Sequence, residues 1–227
     1  MVQIGVISDI HANIDALTAT LEDIYSKGIE MVLCTGDIVG YHTFPDETVQ
    51  LLRKEKVICI RGNHDNDVVN KRFNITKKPD IFQFTYDNLS DDSLKWLNEL
   101  PFSLEIIVEG VSIELSHGSP KDIEEYLFEE SDEAVKYAKV CESDILLSGH
   151  THLPWVKELE GTLFINSGSV GKPKIGRPVA TWAHITVEGS LATSEIHEVK
   201  YDVENVATAA TNAGFGKYAD ALRRGKV

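Results

Sequence analysis

The feature that most constrains this chain is the way its apolar runs end. Val2 to Ile7, Met31 to Cys34 and Val57 to Ile60 read as buried strands, and a cluster of Gly, Asp, Asn and His follows each. Between them lie helical patterns: the stripe Ile14-Ala16-Leu17-Leu21-Ile24, ending near Gly28, and a second helix around Thr48 to Leu52. Strand, helix and strand with short connections predict parallel pairing through right-handed crossovers. Strand ends in such a sheet face a shared crevice, so side chains distant in sequence converge there.

The second half is richer in strands: Leu104 to Val108, Val111 to Leu115, Asp144 to Leu147, Trp155 to Leu159, Leu163 to Ile165 and Val179 to Val187. Gly110 and Glu160-Gly161 mark hairpin turns. Residues 66–100 are polar and helix-leaning, with Ser90 or Asp91 as the N-cap of a short helix that stops at Pro101. Asp122-Ile123-Glu124-Glu125 reads as a solvated helix start, and one helical tail runs from about Val203 to Leu222. The prediction is a layered α/β fold, a four-layer α/β/β/α sandwich of two mixed β-sheets flanked by helices. Residues 1–227 form a single domain in this reading, with 66–100 a small helical cap inserted in it.

Composition removes several function classes. A net charge of −14 over 227 residues argues against a nucleic-acid duplex as partner, because phosphate backbones need clustered Lys and Arg. It leaves room for a small phosphorylated substrate, since a metal centre supplies positive charge locally. Cys34, Cys59 and Cys141 are too few and too scattered for a disulfide framework. No secretory leader and no run of about 18 apolar residues is present, so the expectation is a cytoplasmic protein without a membrane partner.

Five polar motifs carry the chemistry: Asp9-Ile10-His11, Gly36-Asp37, Gly62-Asn63-His64-Asp65, His117-Gly118 and Gly149-His150-Thr151-His152. Five of the eight histidines fall within them, which concentrates nitrogen ligands where carboxylates and an amide supply oxygen. Asp37 on its glycine turn can bridge two ions through its two oxygens. Asp9-x-His11 and His150-x-His152 would each direct two side chains to one site from an extended segment. Any one motif alone reads equally as a cap or turn; five in order do not.

These blocks, with Asn166-Ser167-Gly168-Ser169-Val170-Gly171, resemble the calcineurin-like metallophosphoesterases, in particular their compact bacterial and archaeal branch. The resemblance implies two divalent cations (Mn, Fe, Zn, Co or Mg, with Mn favoured). Asp9, His11, Asp37 and His152 would hold the first, and Asp37, Asn63, His117 and His150 the second. It further implies in-line attack on a phosphodiester or phosphomonoester by a metal-bridging hydroxide. His64 would then assist the leaving group, and Asp65 would orient it. His42, Asn13 and Ser167 are the candidate substrate contacts.

Gly40-Tyr41-His42 stands where the superfamily's protein Ser/Thr phosphatases carry Asp-Arg-Gly, which weighs against that alternative. A non-enzymatic metal-binding scaffold of the same fold is the other alternative, although no ligand is missing. The basic stretch from Lys172 to Arg177 reads as a solvated loop, or else as an attractor for an anionic substrate. Trp96, Trp155 and Trp182 read as packing residues. Exposed β-edges or the C-terminal helix offer surfaces for a homodimer.

Overall fold

The computed structural model describes residues 1–73 and 80–226. Two five-stranded mixed sheets lie face to face. The first has the order β10-β9-β1-β2-β3, from β1 (Val2–Ile7), β2 (Met31–Cys34), β3 (Ile58–Cys59), β9 (Ala180–Glu188) and β10 (Leu191–Val199). Here β1 runs parallel to β2 and β2 to β3, as the crossovers through α1 (Ile14–Ser26) and α2 (Pro45–Lys54) require. Cys34 pairs with Cys59 across β2 and β3, and both thiols are buried and free.

The second sheet has the order β4-β5-β6-β8-β7, from β4 (Ser103–Val108), β5 (Val111–Ser116), β6 (Ile145–Ser148), β7 (Trp155–Leu159) and β8 (Thr162–Asn166). The alternation of side chains along each strand divides the core into layers. Ile4, Val6, Leu33, Ile113, Leu115, Ile145, Leu147, Ile165 and Ile185 fill the space between the sheets. Leu17, Leu21 and Ile24 of α1 and Val49 and Leu52 of α2 pack with Ile7, Cys34 and Trp182 on the outer face of the first sheet. Ala134 and Ala138 of α6 (Asp132–Ala138) cover the outer face of the second with Leu146, Trp155 and Phe164. The architecture is therefore the expected α/β/β/α sandwich.

Ser90 caps α5 (Asp91–Glu99), its hydroxyl accepting from the Ser93 amide at 3.2 Å. α4 (Ile81–Asp87) precedes it within 66–100, and α3 (Asn63–Val69) begins before that segment and runs into it; residues 74–79 lie outside the described residues. The single helical tail is instead two helices, α7 (Val203–Asn212) and α8 (Gly216–Arg224), because Gly214 takes φ +89° and turns the chain. Residues 122–125 form a turn rather than a helix start. Ser119 Oγ accepts from the Lys121 and Asp122 amides and Asp122 Oδ1 from that of Glu124, and such local bonds compete with helix. Among the described residues no helix is long and apolar enough to cross a membrane.

Candidate metal centre

The loops that leave β1, β2, β3, β5 and β6 meet at one end of the sandwich, and their left-handed backbone turns aim the side chains inward. Asp9, His11, Asp37, His150 and His152 have φ of +52°, +51°, +52°, +64° and +61°. The Asp-x-His and His-x-His segments are thus tight turns, not the extended strands expected from their spacing. Non-glycine residues rarely adopt such φ values, and strain of this kind concentrates at functional sites. Glycine permits the closest approach: a Cβ on Gly62 would strike the amide and Oδ1 of Asp37.

The two carboxylates are divided in their use. Asp9 Oδ2 accepts from Ser8 Oγ at 2.6 Å and from the His150 amide at 3.0 Å; Asp37 Oδ1 accepts from the His64 amide at 2.8 Å. Asp9 Oδ1 and Asp37 Oδ2 are buried and accept no hydrogen bond. They face His152 Nε2 at 3.2 Å and His117 Nε2 at 3.3 Å. His11 Nε2 is 3.7 Å from each of them, and Asn63 Oδ1 is 3.0 Å from His117 Nε2.

The histidines are oriented from behind. His11 Nδ1 donates to the Val39 carbonyl at 3.3 Å, and His117 Nδ1 to that of Thr35 at 2.8 Å. His152 Nδ1 donates to the Lys172 carbonyl at 2.6 Å, and His150 Nε2 to that of Glu124 at 3.1 Å. A proton fixed on the outer nitrogen leaves the inner one of a neutral ring with a bare lone pair. These lone pairs face the two free carboxylate oxygens, so the centre is a cage of acceptors that repel one another without a cation. Asp9, His11 and His152, and likewise Asp37, His117 and His150, each bring ligand atoms within 4.8 Å of one another. The donor set fits divalent metal ions with mixed oxygen and nitrogen preference.

With protons as the only cations, the field of the cage is strong. Burial opposes charge on His117, but the Asp37 carboxylate outweighs it and the ring is pushed up to about 10. Burial likewise opposes charge on Asp37, yet the neighbouring His117 and His64 hold its carboxyl well below the usual range. His11, with less compensation, is pushed down by burial to about 4.

His64 stands at the mouth with a side chain 12% exposed, and its Nε2 is 4.0 Å from Asp37 Oδ2. Its ring is stacked on Phe82 of α4 at 4.9 Å and tilted against Tyr41 at 4.6 Å. Asp65 does not orient it: Asp65 Oδ1 accepts from the Ile38 and Val39 amides and Oδ2 from that of Gly62, while His64 Nδ1 has no partner. Asp65 pins two loops together.

The three expected substrate contacts are all buried, and two of them are engaged elsewhere. Asn13 caps α1 through Oδ1 and donates from Nδ2 to the Gly171 carbonyl and Tyr201 Oη. His42 is buried, with Nε2 on the same Gly171 carbonyl at 3.1 Å. Ser167 has no exposed surface. Backbone and side-chain partners account for Asn13 and His42, whereas Ser167 Oγ is buried without one.

Two residues to which the sequence reading gave no role border the cleft. Tyr41 meets the His11 ring edge-on at 4.7 Å and Tyr126 lies against His150 at 4.1 Å. Each carries a lysine, Lys172 Nζ at 4.1 Å from the Tyr41 centroid and Lys174 Nζ at 6.0 Å from that of Tyr126. The basic stretch is therefore not a solvated loop at its start, where Lys172 is only 8% exposed and burial lowers its ammonium to about 8. The signal available was positional: Tyr41 occupies the place of an arginine in the phosphatase pattern.

Residues 2–190 match the calcineurin-like phosphoesterase superfamily domain, and the chain belongs to that superfamily of metal-dependent hydrolases of ester bonds. An uncharacterized protein of Methanocaldococcus jannaschii is 36% identical over 223 residues, covering 88% of each chain. Phosphodiesterase YfcE of Escherichia coli is 26% identical over 191 residues, 79% of this chain and 85% of that one. Among solved structures, a metallophosphoesterase from Sphaerobacter thermophilus superposes with a TM-score of 0.85 at 27% identity, covering 99% of both chains.

Proposed function

We propose that the cage holds two divalent cations and that the protein hydrolyses a small phosphodiester, with Mn²⁺ as the favoured metal and the cytoplasm as its compartment. The observation that carries this is the cage itself: four histidines fixed by backbone carbonyls, their inner nitrogens facing two carboxylate oxygens that accept no hydrogen bond. Asp9, His11, Asp37 and His152 would hold one ion, and Asp37, Asn63, His117 and His150 the other. Bound there, such ions polarise phosphoryl oxygens and bring the pKa of water towards neutrality.

The chain's own groups do the rest. Burial pushes His64 down to about 3, so near neutral pH it is an uncharged ring that offers Nε2–H as a hydrogen-bond donor to a phosphoryl or leaving oxygen. Phe82 and Tyr41 both pack against that ring, and the Phe82 contact supports reading residues 66–100 as a cap. The Tyr41–Lys172 and Tyr126–Lys174 pairs give a diester two flanking aromatic faces and a countercharge for its single anion.

Turnover of bis-p-nitrophenyl phosphate and p-nitrophenyl phosphate by metal-stripped protein reloaded with Mn²⁺ tests this reading. Mn²⁺-dependent hydrolysis of the diester, abolished by Asp37→Asn and strongly reduced by His64→Ala, is the expected result. Metal binding without turnover of either ester would overturn it.

A further inference from the structure

The outer face of the β9–β10 hairpin carries a second group of metal-ligating side chains, far in sequence from every motif of the cleft. The strands run antiparallel with His184 opposite Glu195 and Trp182 opposite His197. Side chains two apart on a strand share a face. These four therefore lie on the face away from Ala183, Ile185 and Val187, which fill the core between the sheets. Glu195 Oε1 is 3.0 Å from His197 Nε2 and 3.5 Å from His184 Nδ1. One ligand atom from each of the three lies within 4.8 Å of the others.

Of those separations 3.5 Å is what a metal imposes, and 3.0 Å, now a hydrogen bond between His197 and Glu195, is a few tenths of an ångström below it. Ligands at ~2.0–2.2 Å in a tetrahedral array stand about 3.3–3.6 Å apart. The hairpin also holds the rings in place. His197 stacks on Trp182 with centroids 4.5 Å apart and planes 15° from parallel, and the indole Nε1 donates to Asp23 Oδ2 of α1 at 3.0 Å. His184 Nε2 is buried without a partner, so Nδ1, beside Glu195, is the nitrogen this ring has to offer. Glu195 has a side chain 68% exposed, which leaves the remaining coordination positions to water.

We propose that His184, Glu195 and His197 form a separate surface site for one zinc-like transition-metal ion. Two imidazoles with one carboxylate suit Zn²⁺ and its neighbours rather than Mg²⁺ or Ca²⁺, which want oxygen alone. The ion joins the edge strand β10 to β9, so its effect is to clamp the free edge of the first sheet. The site shares no residue with the cleft and stands or falls independently of the phosphodiesterase reading.

Equilibrium dialysis of the full chain against Zn²⁺ tests this, together with NMR of the histidine ring nitrogens. The wild type is expected to bind one ion more than a His184→Gln/His197→Gln chain. An Asp37→Asn/His150→Ala chain, altered only in the cleft, should keep that ion. Ring signals of His184 and His197 should shift together on zinc addition, and Glu195→Gln should weaken binding about tenfold or more. Should the double variant melt early in EDTA, Glu195→Gln decides, since it keeps both rings. Equal zinc stoichiometry in the wild type and the double histidine variant, unchanged zinc affinity in Glu195→Gln, or hairpin ring signals unmoved by zinc, would overturn the proposal.

Discussion

The Nε2 atoms of His11 and His152, 141 positions apart in sequence, lie 3.3 Å from each other with both Nδ1 atoms committed to backbone carbonyls. Two lone pairs at that distance need a cation between or beside them. Chelation should therefore destabilise the protein as well as silence it. Binding at a hundredfold excess over Kd adds about 2.7 kcal/mol per ion, so thermal melting with saturating Mn²⁺ should rise by roughly 5–10 °C for each ion bound, and by roughly 10–20 °C for two, over the EDTA-treated chain. An unchanged melting temperature would contradict the cage.

The metal-free protein should also lose stability as pH rises. Folded His117 holds its proton up to about 10, whereas an unfolded histidine releases it near 6.5. The His117–Asp37 pair thus stabilises the fold fully below about pH 6.5 and loses that contribution progressively towards pH 10. Denaturant melts of the EDTA-treated chain across this window should show a falling midpoint. The same proton must leave before His117 can ligate, so metal binding should release acid and tighten with pH.

Asp65 separates a structural pin from a catalytic relay. Asp65→Ala leaves the amides of Ile38, Val39 and Gly62 unsatisfied in the interior, at a cost of about 3 kcal/mol or more. Asp65→Asn keeps one carbonyl acceptor and should recover part of this. Equilibrium unfolding should reveal the loss in both; activity lost at unchanged stability would instead return Asp65 to a role beside His64.

At the cleft's edge, Lys172→Ala should raise KM for an anionic ester about tenfold while leaving kcat within a few-fold, because its charge attracts substrate without touching the cage. Tyr41→Ala removes the face beneath the Lys172 ammonium, and the double variant should be less than additive. Steady-state kinetics on the diester, run at low and high salt, measures both.

The strands that end at the cage were legible because each is a mainly apolar or alternating run stopped by an unusual polar cluster. β10 was not: Leu191–Val199 alternates half-buried and exposed residues at a sheet edge, so no apolar run announces it. α6 escaped notice because it buries only Ala134 and Ala138. At the site, the residues that converge could be named from strand ends, whereas Asn13 and His42 could not be told from cleft-facing groups. Whether a loop side chain faces solvent or a carbonyl depends on partners such as Gly171, 158 positions from Asn13 and 129 from His42. Tyr41 and Tyr126 were missed for the same reason.

The ligand candidates are contributed by both sheets. Asp9, Asp37 and Asn63 follow β1, β2 and β3 of one, and His117 and His150 follow β5 and β6 of the other. The cage is thus a rivet through one end of a sandwich whose interior is otherwise held by contacts between apolar side chains, which have no preferred direction. Each of the two proposed ions would take ligands from both halves of the molecule. Metal occupancy of the proposed centre would then be a certificate that the two sheets have found their correct alignment.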